Sequence, residues 1–116
     1  MNGDNLSRVI TTTQPLTITH LIIENGRVPN GNGGGIYVGN DLQLISSVIR
    51  NNSTIGDGTT LNGYGGGIYV TGDATLTDTT IFNNYSDFYG GGVYVVGDAT
   101  LMGATIFSNT TAGANG

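Results

Sequence analysis

The chain has 116 residues, of which 21 are glycine, and it contains no lysine and no cysteine. Three arginines against eight carboxylates give a net charge of −5, which excludes nucleic acid and anionic lipid as partners because both require clustered Lys and Arg. Without cysteine there are no disulfides or thiolate metal sites. No apolar run approaches the roughly 18 residues of a membrane helix, so we expect no membrane insertion.

Four repeating units follow one another along the chain. In the first, Ser7–Thr11 (SRVIT) and Leu16–Gly26 (LTITHLIIENG) match only parts of the later copies. Three ungapped blocks then begin at Gly33, Gly65 and Gly90, with the sequences GGGIYVGNDLQLISSVIRNN, GGGIYVTGDATLTDTTIFNN and GGGVYVVGDATLMGATIFSN. This self-similarity predicts one domain of four structural repeats, at about residues 1–32, 33–64, 65–89 and 90–116.

Each unit contains short runs in which aliphatic residues alternate with polar ones, interrupted by Gly, Asn or Asp. Such period-two runs predict three short strands per unit and no helix. Strands separated by corners keep one apolar face inward if each pairs with its equivalent in the next unit, about 4.8 Å away. We therefore predict an all-β fold, a single-stranded parallel β-helix (β-solenoid) of about four rungs, in which Ile49, Ile81 and Ile106 stack inside.

Glycine triplets begin the second, third and fourth units, at Gly33–Gly35, Gly65–Gly67 and Gly90–Gly92. We predict that they form corners beside a strand, where glycine permits positive φ and a close backbone approach that a Cβ would block. A phosphate-binding loop needs one such run before one helix, so three copies indicate architecture rather than nucleotide binding.

Two paired elements, GGG[IV] and [IV][FI]xN, recur in the chain. The second occurs as Ile81–Asn84 (IFNN) and Ile106–Asn109 (IFSN), with Val48–Asn52 (VIRNN) as a variant. This combination resembles the repeats of polymorphic outer-membrane proteins and other right-handed parallel β-helix proteins, from about Leu16 to the C-terminus. The resemblance implies a right-handed coil and an extracellular or cell-surface location. It does not choose a function, because that architecture hosts adhesins, autotransporter passengers, polysaccharide lyases and hydrolases, and structural fibres.

The aligned aspartates Asp41, Asp73 and Asp98 are the first candidate site. Stacked carboxylates could hold Ca²⁺. The glycine-and-aspartate nonapeptide of calcium-binding solenoids is absent, however, and we favour an aspartate that caps a turn through its own backbone. We expect no metal and no cofactor.

Asn52, Asn84 and Asn109 align in the same way. Their side-chain amides could hydrogen-bond along the stack as an asparagine ladder. Each also begins an N-x-[ST] pattern, which makes it a candidate for glycosylation. The ladder and the glycan require the same amide, and both interpretations stay open at this point.

Tyr37, Tyr69 and Tyr94 are predicted to stack in a file on one solvent face. An aromatic file could bind a glycan or a partner surface. We favour cross-strand stacking that stabilises the sheet, and we keep the file as the best candidate binding surface.

Enzymatic activity is not expected. A hydrolase on this fold needs paired carboxylates around the scissile bond, and a lyase needs a basic residue near a metal site. The chain has no lysine and three scattered arginines, and its single histidine, His20, lies in a pattern typical of a surface corner.

No atypical capping unit is visible at either end. Residues 110–116 (TTAGANG) stop where another glycine triplet would begin, and residues 1–9 lie close to the first strand. We expect both ends to expose unpaired strand edges and an apolar layer. These features predict a non-enzymatic extracellular structural or adhesive β-solenoid that assembles head-to-tail with copies of itself. The alternative is a fragment of a larger carbohydrate-binding or carbohydrate-active β-helix surface protein.

Overall fold

The computed structural model describes residues 1–58 and 62–112. In that part the chain forms sixteen short strands, which build four parallel sheets of four strands each. Every sheet takes one strand from each of four successive turns of the chain, which we call rungs 1 to 4. The predicted all-β solenoid of about four rungs is therefore confirmed. Within the described residues no helix has the length and apolarity needed to cross a bilayer.

Each rung contains four strands, and the sheets join equivalent strands of successive rungs. Rung 1 contains β1 (Ile10–Thr12), β2 (Leu16–Thr19), β3 (Ile22–Glu24) and β4 (Arg27–Pro29). Rung 2 contains β5 (Ile36–Val38), β6 (Leu42–Ile45), β7 (Val48–Arg50) and β8 (Ser53–Ile55). Rung 3 contains β9 (Ile68–Val70), β10 (Ala74–Thr77), β11 (Thr80–Phe82) and β12 (Tyr85–Ser86). Rung 4 contains β13 (Val93–Val95), β14 (Ala99–Met102), β15 (Thr105–Phe107) and β16 (Thr110–Thr111).

The sequence predicts three strands per rung, and the structure has a fourth. The additional sheet consists of β4, β8, β12 and β16, which are two or three residues long. The residues that pair through its centre are Val28, Thr54, Ser86 and Thr111. Three of these four carry hydroxyl groups, so the strand lacks the aliphatic alternation by which the other three were identified.

Equivalent residues pair along the solenoid without a shift in register. One file joins Ile23, Ile49, Ile81 and Ile106. The first three of these side chains have no exposure, and they lie in one core with the inward residues of the first two sheets. Side chains alternate across a strand, so a shift of one residue would turn the apolar side chains of a strand outward. The identical positions of the apolar residues in successive units therefore fix the register.

Two corners of each rung use left-handed backbone. After the second strand the corner residues are His20, Ser46, Asp78 and Gly103, with φ values of 55°, 49°, 48° and 66°. After the third strand they are Asn25, Asn51, Asn83 and Ser108, with φ values of 56°, 56°, 54° and 53°. Short polar residues and glycine tolerate this conformation better than other residues do. His20 therefore lies at an exposed corner, as predicted.

The N-terminal end of the solenoid is covered at the edge of β3, which corrects in part the expectation that both ends are open. Residues 1–5 run beside β3, where Asn2 forms a parallel bridge with Glu24. The backbone N–H of Gly3 donates to the carbonyl of Glu24 at 3.0 Å, and the N–H of Glu24 donates to the carbonyl of Met1 at 3.0 Å. In consequence Ile23 has no exposure although it belongs to the first rung.

The C-terminal end is open, as expected. Leu101 and Ile106 are 52% and 44% exposed, whereas the equivalent Leu76 and Ile81 one rung earlier have no exposure. Ile106 continues the interior file that the sequence predicts, but no further rung among the described residues covers it. Residues 113–116, which the sequence pattern assigns to the end of this unit, lie outside the described part.

Ile81 and Ile106 offer a matched test of this arrangement, since they belong to one file. Ile81→Asp places a charge without a partner in the interior and should lower the free energy of unfolding by about 3 kcal/mol or more. Ile106→Asp leaves the new carboxylate in contact with water and should cost less than about 1 kcal/mol. Thermal melting followed by far-ultraviolet circular dichroism measures both. Equal losses would contradict the assignment of the open end.

Candidate functional site: the corner ladders and the C-terminal end

The asparagine ladder (Asn52, Asn84 and Asn109) lies at the corner between the third and fourth strands. The Oδ1 of Asn84 accepts hydrogen bonds from the backbone N–H and the Nδ2 of Asn52, both at 3.0 Å. The Oδ1 of Asn109 accepts the same two bonds from Asn84, at 3.0 and 2.9 Å. Every Oδ1 thus accepts from the preceding rung, so the ladder has a direction along the solenoid.

Burial separates the two interpretations of these asparagines. Asn52 and Asn84 are 1% exposed, and their Nδ2 groups also donate to the carbonyls of Ile23 and Ile49 in the preceding rung. A sugar attached to either nitrogen would have no space in the folded chain and would remove these bonds. Asn109 is partly buried and makes the equivalent bond to the carbonyl of Ile81 at 2.9 Å. The geometry therefore favours the ladder over glycosylation.

The glycine triplet leaves the space that the side chains of the asparagine ladder occupy. Its first glycine, Gly33 in rung 2, has φ +68°. A Cβ on the second, Gly34, would lie 2.3 Å from the carbonyl oxygen of Ser53, and a Cβ on the third, Gly35, would lie 2.9 Å from the Cγ of Asn52. The third glycines of rungs 3 and 4 meet Asn84 and Asn109 at 3.0 and 2.9 Å in the same way. The two sequence elements of each repeat therefore fit each other across the rung.

Rung 1 has the opposite combination of residues at these two positions. Val9 precedes Ile10, which pairs with Ile36, so Val9 stands where rung 2 has its third glycine. Gly26 stands at the ladder position, and its backbone N–H donates to the Oδ1 of Asn52 at 2.8 Å. Because Gly26 has no side chain, rung 1 needs no donor from a rung before it.

The aspartate file caps backbone amides, but not in the way that the sequence predicts. The Oδ1 of Asp41 accepts from the backbone N–H of Asp73 at 2.8 Å, and the Oδ1 of Asp73 accepts from that of Asp98 at 2.9 Å. Each carboxylate thus caps the next rung rather than its own turn. A Cβ on Gly72 or Gly97 would lie 2.2 or 2.3 Å from the carboxylate oxygen, which explains the Gly-Asp pairs.

Rung 1 departs from the pattern here too. Pro15, which has no N–H, precedes Leu16 as Asp41 precedes the paired Leu42. Since no carboxylate lies on the preceding rung, the side chain of Asn40 caps the N–H of Asp41 at 2.9 Å. As to the calcium candidate, no group of three or more His, Asp or Glu side chains within residues 1–58 and 62–112 is arranged to hold a metal ion.

The three predicted tyrosines stack. The ring centroids of Tyr37 and Tyr69 are 5.4 Å apart, and those of Tyr69 and Tyr94 are 5.5 Å apart, with the planes nearly parallel. Tyr64 joins them, with its ring 5.0 Å from Tyr94 and 5.4 Å from Tyr89. Sequence reasoning missed Tyr64 and Tyr89 because both precede a glycine triplet, in connections that differ between units.

Arg8 closes the tyrosine file at the N-terminal side. Its guanidinium carbon lies 5.1 Å from the ring centre of Tyr37, and its nitrogens donate to the carbonyls of Asn32 and Gly33 at 2.7 to 3.1 Å. Burial lowers the pKa of Arg8 and raises that of Tyr69. Ring faces on which a sugar would stack are thus occupied by other rings or by Arg8, which favours the stabilising role of the file.

The C-terminal end combines exposed apolar groups with free hydrogen-bonding groups. Its exposed large apolar residues are Val96, Leu101, Met102, Ile106 and Phe107, at 44% to 59% exposure. The strands of rung 4 are the last in all four sheets. Within the described residues, the backbone N–H of Asn109 and the carboxylate of Asp98 lack the partners that their equivalents have in rung 3.

A shallow groove of about 330 Å³ crosses rungs 1 to 3 beside the aspartate corner. Its lining combines hydroxyl, amide and carboxylate groups with three apolar residues: Pro15, Leu16, Thr17, Asp41, Leu42, Gln43, Asp73 and Thr75.

Comparison with protein-family models, with curated proteins and with solved structures found no match to this chain. The function proposed below therefore depends on the geometry of the described residues and on the resemblance of the repeats to those of parallel β-helix proteins.

Asn84→Ala tests the ladder. The substitution leaves the N–H and Nδ2 of Asn52 without their acceptor in the interior, at about 1–3 kcal/mol each, so we expect a loss of about 2–5 kcal/mol in the free energy of unfolding. The neighbouring Asn83 is exposed and has φ +54°, so Asn83→Gly is a control that should be nearly neutral. Urea unfolding measures both, and a neutral Asn84→Ala would contradict the ladder.

Proposed function

We propose that the chain is a non-enzymatic structural or adhesive β-solenoid of the cell surface or extracellular space, which associates through its C-terminal end. The observation that carries this proposal is the exposure of Leu101 and Ile106, at 52% and 44%, in files whose earlier members are fully buried. Complete burial of such a side chain contributes about 1.5–3 kcal/mol. The location outside the cell rests on the resemblance of the repeats.

The simplest assembly is head-to-tail stacking of copies. In it, rung 4 of one copy pairs with the free edges of β1 and β2 in the next, and residues 1–5 move off β3 so that β15 can take their place. A contact between two different ends does not close on itself and produces a filament. Four rungs at about 4.8 Å each give an axial repeat near 19 Å per copy.

Two features support a role without catalysis. His20 lies at an exposed corner, and the carboxylates of Asp41 and Asp73 accept hydrogen bonds from backbone N–H groups of the following rung. These carboxylates act as caps of the solenoid corner.

Carbohydrate binding is the second candidate, and the groove beside the aspartate corner favours it. Exposed Thr17 and Gln43 and half-buried Thr75 line this groove of about 330 Å³, and hydroxyl and amide groups suit sugar hydroxyls. Titration calorimetry with a panel of neutral and acidic oligosaccharides tests it. Binding that Gln43→Ala weakens would support this candidate, and the absence of binding across the panel would remove it.

End-to-end association is tested by sedimentation velocity over a range of protein concentrations. We expect the average mass to rise with concentration, because burial of the open apolar layer favours association. Ile106→Lys should hold the chain as a monomer, since it places a charge in that layer. Gln43→Lys adds the same charge on an exposed outer face and should change nothing. An unmodified chain that stays monomeric at the highest concentration would contradict self-association.

A further inference from the structure

We infer that the C-terminal end selects its partner through the two corner ladders as well as through apolar contact. The partner it fits is a polypeptide rung that carries the Gly-Gly-Gly, Gly-Asp and Asn pattern of rungs 2 to 4. This inference rests on the proposed function only in taking the C-terminal end as an interaction surface. It adds the chemistry by which that surface recognises what covers it.

The asparagine ladder sets the first requirement. The N–H and Nδ2 of Asn84 both donate to the Oδ1 of Asn109, and those of Asn52 both donate to the Oδ1 of Asn84. The N–H of Asn109 has no such acceptor among the described residues. A covering rung completes the ladder if it places an asparagine Oδ1 over Asn109, together with the third glycine of a triplet that makes room for that side chain.

The aspartate file sets the second requirement. The carboxylates of Asp41 and Asp73 cap the N–H groups of Asp73 and Asp98, and the glycine before each of those aspartates leaves the space. Asp98 is exposed and has the equivalent position in rung 4. A covering rung provides a donor for the Asp98 carboxylate if it presents a backbone N–H on a residue that follows a glycine. The Gly-Asp pair of the repeat has this arrangement.

The apolar layer continues an interface that occurs three times within the molecule. Rungs pair in register from rung 1 to rung 4, so the inward residues of rung 4 present an aliphatic surface similar to the one that rung 3 presents to rung 4, with Val93 in place of Ile68. That surface favours a parallel rung in the same register, because a shift of one residue would place polar residues on the exposed Leu101 and Ile106.

The N-terminal end of a second copy meets only the apolar requirement. It has Gly26 at the ladder position, so it offers no side-chain oxygen to Asn109. It has Pro15 at the aspartate position, so it offers no N–H to Asp98. Residues 1–5 also occupy the edge of β3. A repeat-type rung should therefore displace a second copy of this chain from the C-terminal end.

A tethered rung tests the inference. A copy of residues 65–89 is joined to the C-terminus of the full chain through a flexible linker, which gives a local concentration in the millimolar range. The matched control has the same tether with Asn84→Ala and Asp73→Pro made in the added copy only. Amide hydrogen exchange at Asn109, resolved by NMR, reports whether a rung covers the end, and sedimentation velocity reports self-association.

We expect the repeat-type tether to slow exchange at Asn109 by at least about tenfold and to abolish self-association, and the control tether to slow it by less than about threefold. Equal protection by both tethers would overturn selection by the ladders and leave the end as an interaction surface. Exchange and self-association unchanged by either tether would show that the end does not accept a repeat-type rung and would overturn this inference, whereas the proposed function is overturned separately, by an untethered chain that stays monomeric.

Discussion

The fit between an asparagine and a glycine within each rung is the constraint on which the rest of this solenoid depends. An amide as fully buried as that of Asn84 is tolerated only with its hydrogen bonds made. One of these bonds goes to the carbonyl of Phe82 in its own rung, and the others lie along the axis, to the rungs on either side. Space for the amide exists because Gly67 has no Cβ, with the Cγ of Asn84 only 3.0 Å from where one would lie. The two motifs of the repeat are therefore one structural unit, and neither can change alone.

Direction along the axis follows from the same fit. Asparagine oxygens accept from the preceding rung, and aspartate oxygens accept from the following one. Rung 1 has Val9, Pro15 and Gly26 at the three positions concerned. It therefore has no asparagine side chain and no aspartate N–H that a preceding rung would have to satisfy. The two ladders therefore end at rung 1, whereas in rung 4 the carboxylate of Asp98 and the N–H of Asn109 have no such partner within residues 1–58 and 62–112. The difference between the ends is thus a property of residue identity as well as of exposure.

Much of this architecture can be predicted from the sequence, because each residue of a repeat stacks on its own equivalent. The strands of three of the four sheets, the interior files and the stacking of Tyr37, Tyr69 and Tyr94 follow from alignment of the units. What alignment misses comes from contacts that are not repeated. The strands of the fourth sheet lack an apolar pattern, and Tyr64 lies in a connection of variable length. Residues 1–5, which match no part of the repeat, cover the edge of β3 through backbone bonds and the side chain of Asn2. The direction of the aspartate caps does not follow from the sequence either, because an aspartate that caps its own turn and one that caps the next rung occupy the same position of the repeat.

The central claim is that residues 1–5 protect the N-terminal end at β3, whereas the ladders are open at the C-terminal end. Native-state hydrogen exchange on the unmodified chain, at a concentration where it is monomeric, tests this difference. Three amides are decisive: Asn84, whose N–H bonds to the Oδ1 of Asn109; Glu24, whose N–H bonds to the carbonyl of Met1; and Asn109 itself. We expect the slowest exchange at Asn84, measurable protection at Glu24 and rapid exchange at Asn109. Exchange at Asn109 as slow as at Asn84, or at Glu24 as fast as at Asn109, would contradict this claim.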